Sequence, residues 1–382
     1  MRKISASVIA FVLALWPALP AFGAPLETRA QYAILMDYET GNVLFEKNAD
    51  ELMPPASMSK LMTIAVLFSH LKDGGLSLDD TFHVSERAWR MGGSKMWVLV
   101  DTEIRIEDLI MGIIVHSGND ACVVVAEGIS GSEAAFAREM TRYGREVIGF
   151  EKSTFANAHG MPVEDHLMTA RELALLAKHI ISEFPDYYKY FSVEEFTWSD
   201  ITQPNRNPLI YANIGADGLK TGMTEGSGYG LTASAVQDGR RLILVINGLE
   251  SENRRSTEAQ RLLRVGFRDF KLYPLYAGGE VVGTADIWQG SRGEVGLEIR
   301  DSVNMILRRE DRRKMRVTIN YVGPISAPVT KGDQIAELKV TVPDLPDVVQ
   351  PLYATETVEP MGLFGKLGAA VIHLVSEQFS TN

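Results

Sequence analysis

Pro54-Pro55-Ala56-Ser57-Met58-Ser59-Lys60, near the start of a 382-residue chain, decides how the rest is read. A proline pair disfavours helix before it, so the pattern predicts an amphipathic helix beginning at Ser57. On that helix Ser57 and Lys60 share a face, with Cβ atoms about 5–6 Å apart. The face continues through Leu61, Ile64, Leu67, Phe68 and Leu71 until Gly74-Gly75 ends it. Lys60 is therefore expected to point inward. A buried ammonium is costly unless paired or neutralised, and desolvation lowers its pKa. A neutral Lys60 can take a proton from Ser57, and the helix start offers N–H groups and a positive dipole end to an oxyanion. The pattern alone is weak: Ser69-His70-Leu71-Lys72 fits it too, and reads as solvated surface.

Length suggests two or three domains, and the apolar and charged fractions (46% and 23%) are those of a globular protein. The net charge of −11 argues against nucleic acid and against strong attraction to anionic lipid. Arg2-Lys3, the apolar run Val8–Trp16 and Ala21-Phe22-Gly23 read as a secretory signal over residues 1–23, with an uncleaved anchor as the alternative. Removing it makes the chain about two charges more negative. Cys122 is the only cysteine, so no intramolecular disulfide forms, and its apolar surroundings read as core.

Downstream of the signal, Ala33–Tyr38 and Val43–Glu46 are predicted strands around a Glu39-Thr40-Gly41-Asn42 turn. Ile106–Val115 is apolar almost all round and reads as a buried helix, broken by His116-Ser117-Gly118-Asn119 and resumed from Asp120. A polar interruption between buried runs needs partners, although Asn119 or Asp120 as a simple N-cap is the plainer alternative. His159 lies in a loop, Phe155–Met161, that is either a turn or a cleft wall. Thr169-Ala170-Arg171-Glu172 reads as a capping box. Lys220-Thr221-Gly222 falls on the first strand of an antiparallel meander continuing through Tyr229–Val236 and Leu242–Ile246. A strand glycine such as Gly222 marks close approach of another backbone or a ligand. Arg254-Arg255 precede a helix predicted over Glu258–Phe267.

From about Tyr273 short strands separated by Gly, Pro and Asp turns predict a small all-β domain. Met361–Phe379 has helical apolar spacing, too short and polar to span a bilayer, and suits an interfacial anchor better than packing on the protein. Neither a phosphate loop nor a His-x-x-x-His pattern is present, so no cofactor and no metal is expected.

Ser57-x-x-Lys60, Ser117-Gly118-Asn119 and Lys220-Thr221-Gly222 form, in that order, the motif set of the penicilloyl serine transferases. With Asp120-Ala121-Cys122, Asn205-Arg206-Asn207, Asp217-Gly218 and Gly266-Phe267, the chain resembles the low-molecular-mass penicillin-binding proteins that are serine-type D-alanyl-D-alanine carboxypeptidases. The resemblance implies an α+β fold: an antiparallel sheet with helices over 24–272, a β-rich domain over 273–358 and a membrane-anchor helix over 359–382. It implies Ser57, Lys60, Ser117, Asn119 and Lys220 as catalytic groups. Substrate would be held by Thr221, Gly222, Met223, Arg255 and Arg206, with His159 beside them. The partners implied are a peptidoglycan stem peptide ending in D-Ala-D-Ala, β-lactams, and inner-membrane lipid through the C-terminal helix, in the periplasm; a homodimer is left open. Family members often carry histidine after Lys-Thr-Gly, so Met223 bears on polarity near the oxyanion and on deacylation.

Three alternatives stay open at this level. A DD-endopeptidase would use the same residues on a cross-link. A serine β-lactamase would need a positioned carboxylate, for which Glu164 and Asp165 are candidates outside any Glu-x-x-x-Asn pattern. A cell-wall scaffold with a dead site is the alternative outside enzymology, and the retained Ser57, Lys60, Asn119 and Lys220 speak against it.

Overall fold

The computed structural model describes residues 26–343, 345 and 347–362. The signal segment over 1–23 and nearly all of the expected anchor helix lie outside the described residues. The architecture is α+β, as expected.

A five-stranded sheet organises the first domain, in the order Val43–Lys47, Tyr32–Asp37, Arg240–Leu249, Gly228–Gln237, Ala216–Thr224. Every pairing in it is antiparallel. The period-two alternation of its strands separates two cores. Ile34, Met36, Ile243 and Val245 face a large helical cluster, while Ala33, Leu35, Leu242, Leu244 and Ile246 face Ala259, Leu262 and Leu263 of helix Glu252–Asp269. That helix begins earlier than predicted and takes Arg254 and Arg255 into its first turns. Ser251 caps it, its Oγ accepting the Arg254 N–H at 3.2 Å.

Helix Lys60–Lys72 is buried on nearly every side rather than along one stripe. Met62, Thr63, Ala65 and Val66 join the expected apolar face in the interior, because helices pack around it as well as the sheet. The buried helix Ile106–Ile114 and helix Asn119–Ser130 flank the predicted Ser-Gly-Asn break. Thr169 caps helix Ala170–Glu183 as expected, accepting from the Glu172 N–H at 3.0 Å. The reciprocal half of the capping box is absent: Glu172 instead accepts from the N–H groups of Glu151, Lys152 and Ser153. A loop supplying three donors outcompetes one helix-start N–H for that carboxylate.

The second domain is a six-stranded sheet, in the order Arg316–Asn320, Gln334–Thr341, Val348–Ala354, Glu294–Ile299, Val281–Trp288, Ile325–Ser326. Phe270–Tyr276 pairs separately with Val303–Arg308. Leu297, Ile299, Leu338, Val340 and Leu352 lie in its core.

Arg240 ties the end of the first domain to the start of the second. Its Nε donates to buried Asp37 at 2.8 Å and its Nη1 to the carbonyl of Phe270 at 2.6 Å. Arg240→Met leaves buried Asp37 without its cation, with only Thr40 still donating to Oδ1, and takes the donor from the Phe270 carbonyl; it is expected to cost about 3 kcal/mol. The midpoint of urea unfolding should fall accordingly; an unchanged midpoint would show the pair to be dispensable.

Candidate active site

The site is assembled where three segments meet. Ala56–Ser59 is a single 3-10 turn after Pro55, and α-helix starts only at Lys60. Ser57 therefore lies on a 3-10 turn just ahead of the α-helix it was expected to open, and the Met58 N–H of that turn donates to the Pro55 carbonyl at 3.2 Å. Ala56 takes a left-handed φ of +49°, a conformation that a non-glycine residue keeps only when its surroundings impose it. Two glycines show what those surroundings are. A Cβ on Gly160 would lie 2.1 Å from the Ala56 carbonyl oxygen, and one on Gly222 would lie 2.8 Å from that of Pro55. Loop and strand backbones thus close on the serine turn from two sides, as the strand glycine had predicted.

Lys60 is fully buried. Its Nζ lies 2.8 Å from Ser57 Oγ, 2.8 Å from Asn119 Oδ1 and 2.5 Å from the His159 carbonyl oxygen. A neutral amine has two N–H donors and one lone pair. Asn119 and His159 supply two oxygens that can only accept, which leaves the lone pair for the Ser57 hydroxyl. Burial, with Arg206 adding to it against opposing Cys122 and Asp120, lowers the Lys60 pKa to about 8.

Asn119 is held on every polar edge. Its Nδ2 donates to the Gly92 carbonyl at 2.9 Å and its backbone N–H to that of Ser94 at 2.8 Å. Ser117, also buried, reaches its place through a left-handed φ of +59° between two helices. Across the cleft, Lys220 and Thr221 are buried on Ala216–Thr224, the edge strand of the sheet. Burial, followed by the charges of Lys60 and Arg206, pushes the Lys220 pKa well down.

The remaining expected residues separate by what they present. His159 meets the site through its carbonyl, not its ring. The imidazole Nε2 is 3.0 Å from Glu133, and Nδ1 accepts the Met161 N–H. Arg255 is buried, with only a 3.9 Å contact to exposed Glu252 and the Tyr229 ring 5.9 Å away. Its Nε lacks a hydrogen-bond partner among the described residues. Arg206 donates to Ser94 Oγ at 2.6 Å. Met223 exposes its side chain on the same strand. Cys122 is buried, and burial raises its thiol to about 12, which leaves it inert as a nucleophile.

Sequence reasoning missed two supporting carboxylates. Asp120, read only as a helix cap, accepts from the N–H groups of Met96, Trp97 and Val98. Glu133 receives Arg87, His159 and the Ala158 N–H; burial opposes its ionisation, but the His159 bond and charge lead in holding its pKa near 2. A charged residue inside an apolar run was the available sign for Asp120. Glu133 gave none, because its partners are distant in sequence.

Asn205 and Asn207 act as braces. Asn207 Nδ2 donates to the Gly218 carbonyl at 2.8 Å and so fixes the start of the edge strand. Among the described residues no group of acidic, histidine or cysteine side chains could hold a metal ion.

Residues 20–251 match the family model for D-alanyl-D-alanine carboxypeptidase, and residues 270–360 that for the C-terminal domain of penicillin-binding protein 5. The chain is 35% identical to the D-alanyl-D-alanine carboxypeptidase DacC of Escherichia coli (strain K12), over 87% of this chain and 85% of that one. The solved structure of the D-alanyl-D-alanine carboxypeptidase DacD from Francisella tularensis superposes with a TM-score of 0.80 at 29% identity, covering 88% and 95% of the two chains. Penicillin-binding protein D2 from Listeria monocytogenes, solved in an ampicillin-bound form, gives a TM-score of 0.58 at 28% identity over 64% and 99%. With the Ser57–Lys60–Asn119 cluster facing Lys220 in one cleft, the chain belongs to the D-alanyl-D-alanine carboxypeptidase family and is a serine carboxypeptidase of that class.

Proposed function

We propose that the protein removes the terminal D-alanine from peptidoglycan stem pentapeptides through an acyl-enzyme on Ser57. The observation that carries this is the 2.8 Å contact from Lys60 Nζ to Ser57 Oγ inside a buried pocket with no acidic partner on the amine. Ser57 Oγ attacks the carbonyl between the two D-alanines as its proton passes to neutral Lys60. The backbone N–H groups of Ser57 and Met223 receive the oxyanion. Ser117 and Lys220 relay a proton to the leaving amine, the C–N bond breaks, and D-alanine departs. Water then attacks the ester and returns the hydroxyl to Ser57.

Thr221, Arg255 and Arg206 bind the terminal carboxylate. The poorly paired guanidinium of Arg255 suits that task because it can bond a carboxylate bidentately. β-Lactams imitate the D-Ala-D-Ala end with a strained ring amide and a nearby carboxylate, and acylate Ser57. A lactamase reading is disfavoured by the carboxylates themselves. Glu164 and Asp165 are exposed, and Glu133 and Glu172 are occupied by their own donors. The basic, then apolar N-terminal segment supports export to the periplasm, and the amphipathic tail supports peripheral attachment to the inner membrane.

The decisive assay is D-alanine release from a Lys-D-Ala-D-Ala peptide, expected from the wild type and lost in Ser57→Ala. Penicillin labelling of Ser57 without release would favour a cross-link-cleaving or stalled enzyme. Neither activity would leave the scaffold. Because neutral Lys60 is the base, acylation by penicillin should rise about tenfold from pH 7 to pH 9, following a group near pH 8. A flat profile would remove Lys60 from that role. Arg255→Leu should lower kcat/KM for the peptide about 100-fold while a substrate lacking the terminal carboxylate loses little.

A further inference from the structure

Glu133 opens helix Glu133–Tyr143, and its carboxylate is buried although it is outside the reacting set. One oxygen, Oε1, lies 3.0 Å from His159 Nε2 and accepts the Ala158 N–H at 3.2 Å. The other, Oε2, takes the guanidinium of Arg87 from helix Glu86–Arg90. Both of the segments so anchored serve Lys60. Ala158 and His159 belong to the turn that places the His159 carbonyl oxygen 2.5 Å from Lys60 Nζ. Helix Glu86–Arg90 leads into Gly92 and Ser94, whose carbonyls accept from Asn119, and Asn119 Oδ1 is 2.8 Å from the same Nζ. A single carboxylate therefore touches both walls that hold the amine.

Neutral braces shape each wall separately. Asn157 Oδ1 accepts the N–H groups of His159 and Gly160, and Thr63 Oγ1 donates to the Ala158 carbonyl at 2.6 Å. Asp120 gathers Met96, Trp97 and Val98 on the other side. Glu133 adds a charge-assisted link across them, and such links are stronger than neutral ones. Its placement also suits the chemistry of a free amine. A carboxylate in contact with Nζ would hold the ammonium form, whereas one that acts through a neutral carbonyl fixes geometry without pairing the amine. We infer that Glu133 is a positioning residue for the general base: through the His159 turn and the Arg87 helix it sets the two neutral oxygens that aim the Lys60 lone pair at Ser57. This deepens the carboxypeptidase reading and rests on it for the role of Lys60.

The test is the pH profile of penicillin acylation in Glu133→Gln, which keeps the size of the side chain but offers one accepting oxygen to three donors. The rate on the alkaline plateau should fall about tenfold, since the lone pair is no longer aimed. The midpoint should move about one pH unit below 8, because oxygens that no longer converge on Nζ favour the ammonium less. At pH 7 the two effects oppose each other, so the whole profile is needed. The other groups facing Lys60, namely Asp120, Cys122, Arg206, Lys220 and His166, are unaltered. Arg87→Met, which removes one arm only, should give smaller changes of the same sign, and Glu133→Asp should recover most of the midpoint. A rate loss that matches lost folded protein, with the midpoint unmoved, would overturn the proposal, as would an unchanged profile. If Glu133→Gln does not fold, Arg87→Met decides on the same two readings. Titration of Lys60 by NMR in protein carrying 15N-labelled lysine needs no turnover. A lowered Lys60 titration in the variant, with no D-alanine release by the wild type, would mean that the carboxypeptidase reading fails while the positioning role stands. An unshifted titration would overturn the positioning role whatever the wild type releases.

Discussion

A lysine amine enclosed without a carboxylate is the constraint on which the rest of the site depends. Moving the Lys60 pKa from 10.5 to about 8 corresponds to about 3 kcal/mol against the charged form. An ion pair would cancel that effect and leave an ammonium unable to act as base. The structure therefore surrounds Nζ with neutral oxygens: a hydroxyl, a side-chain amide and a backbone carbonyl. Acidic residues nearby are committed elsewhere, Asp120 to three amides and Glu133 to His159, Arg87 and Ala158.

Those commitments also build the walls. Asn157 accepts from the N–H groups of His159 and Gly160 and donates to the Met161 carbonyl, which fixes the turn that offers Lys60 its third oxygen. Asp120 draws in the segment that holds Asn119. Left-handed residues sit at Ala56, Trp97 and Ser117, all within or beside this cluster. Strain concentrated around a reacting group reflects over-determination by neighbours, since no isolated turn would hold these conformations.

The cleft is cationic within an acidic protein. Lys220, Arg206 and Arg255 lie near one another in a chain of net charge −11. Burial first, and nearby positive charge after it, lowers the pKa of both lysines, while the arginines stay charged.

Much of this was legible in the sequence because local chemistry encodes it. The proline pair before Ser57, the apolar runs around Ser117-Gly118-Asn119 and the strand pattern around Lys220 each specify a local element, and their order identified the family. Continuous apolar runs over Ala33–Tyr38 and Leu242–Ile246, bounded by turn residues, likewise marked strands of the sheet. Where the sequence misled, long-range partners had won: the Lys60 helix is buried all round because other helices enclose it, and Glu172 deserts its cap for a loop 20 residues earlier. The ring of His159 turns to Glu133, leaving a carbonyl that no side-chain pattern announces. Sequence by itself determined which residues could do chemistry and which elements carry them, since propensity and spacing are local. Only the tertiary structure decided that Lys60 meets two neutral oxygens and no acid, because those partners converge from segments 59 and 99 residues away.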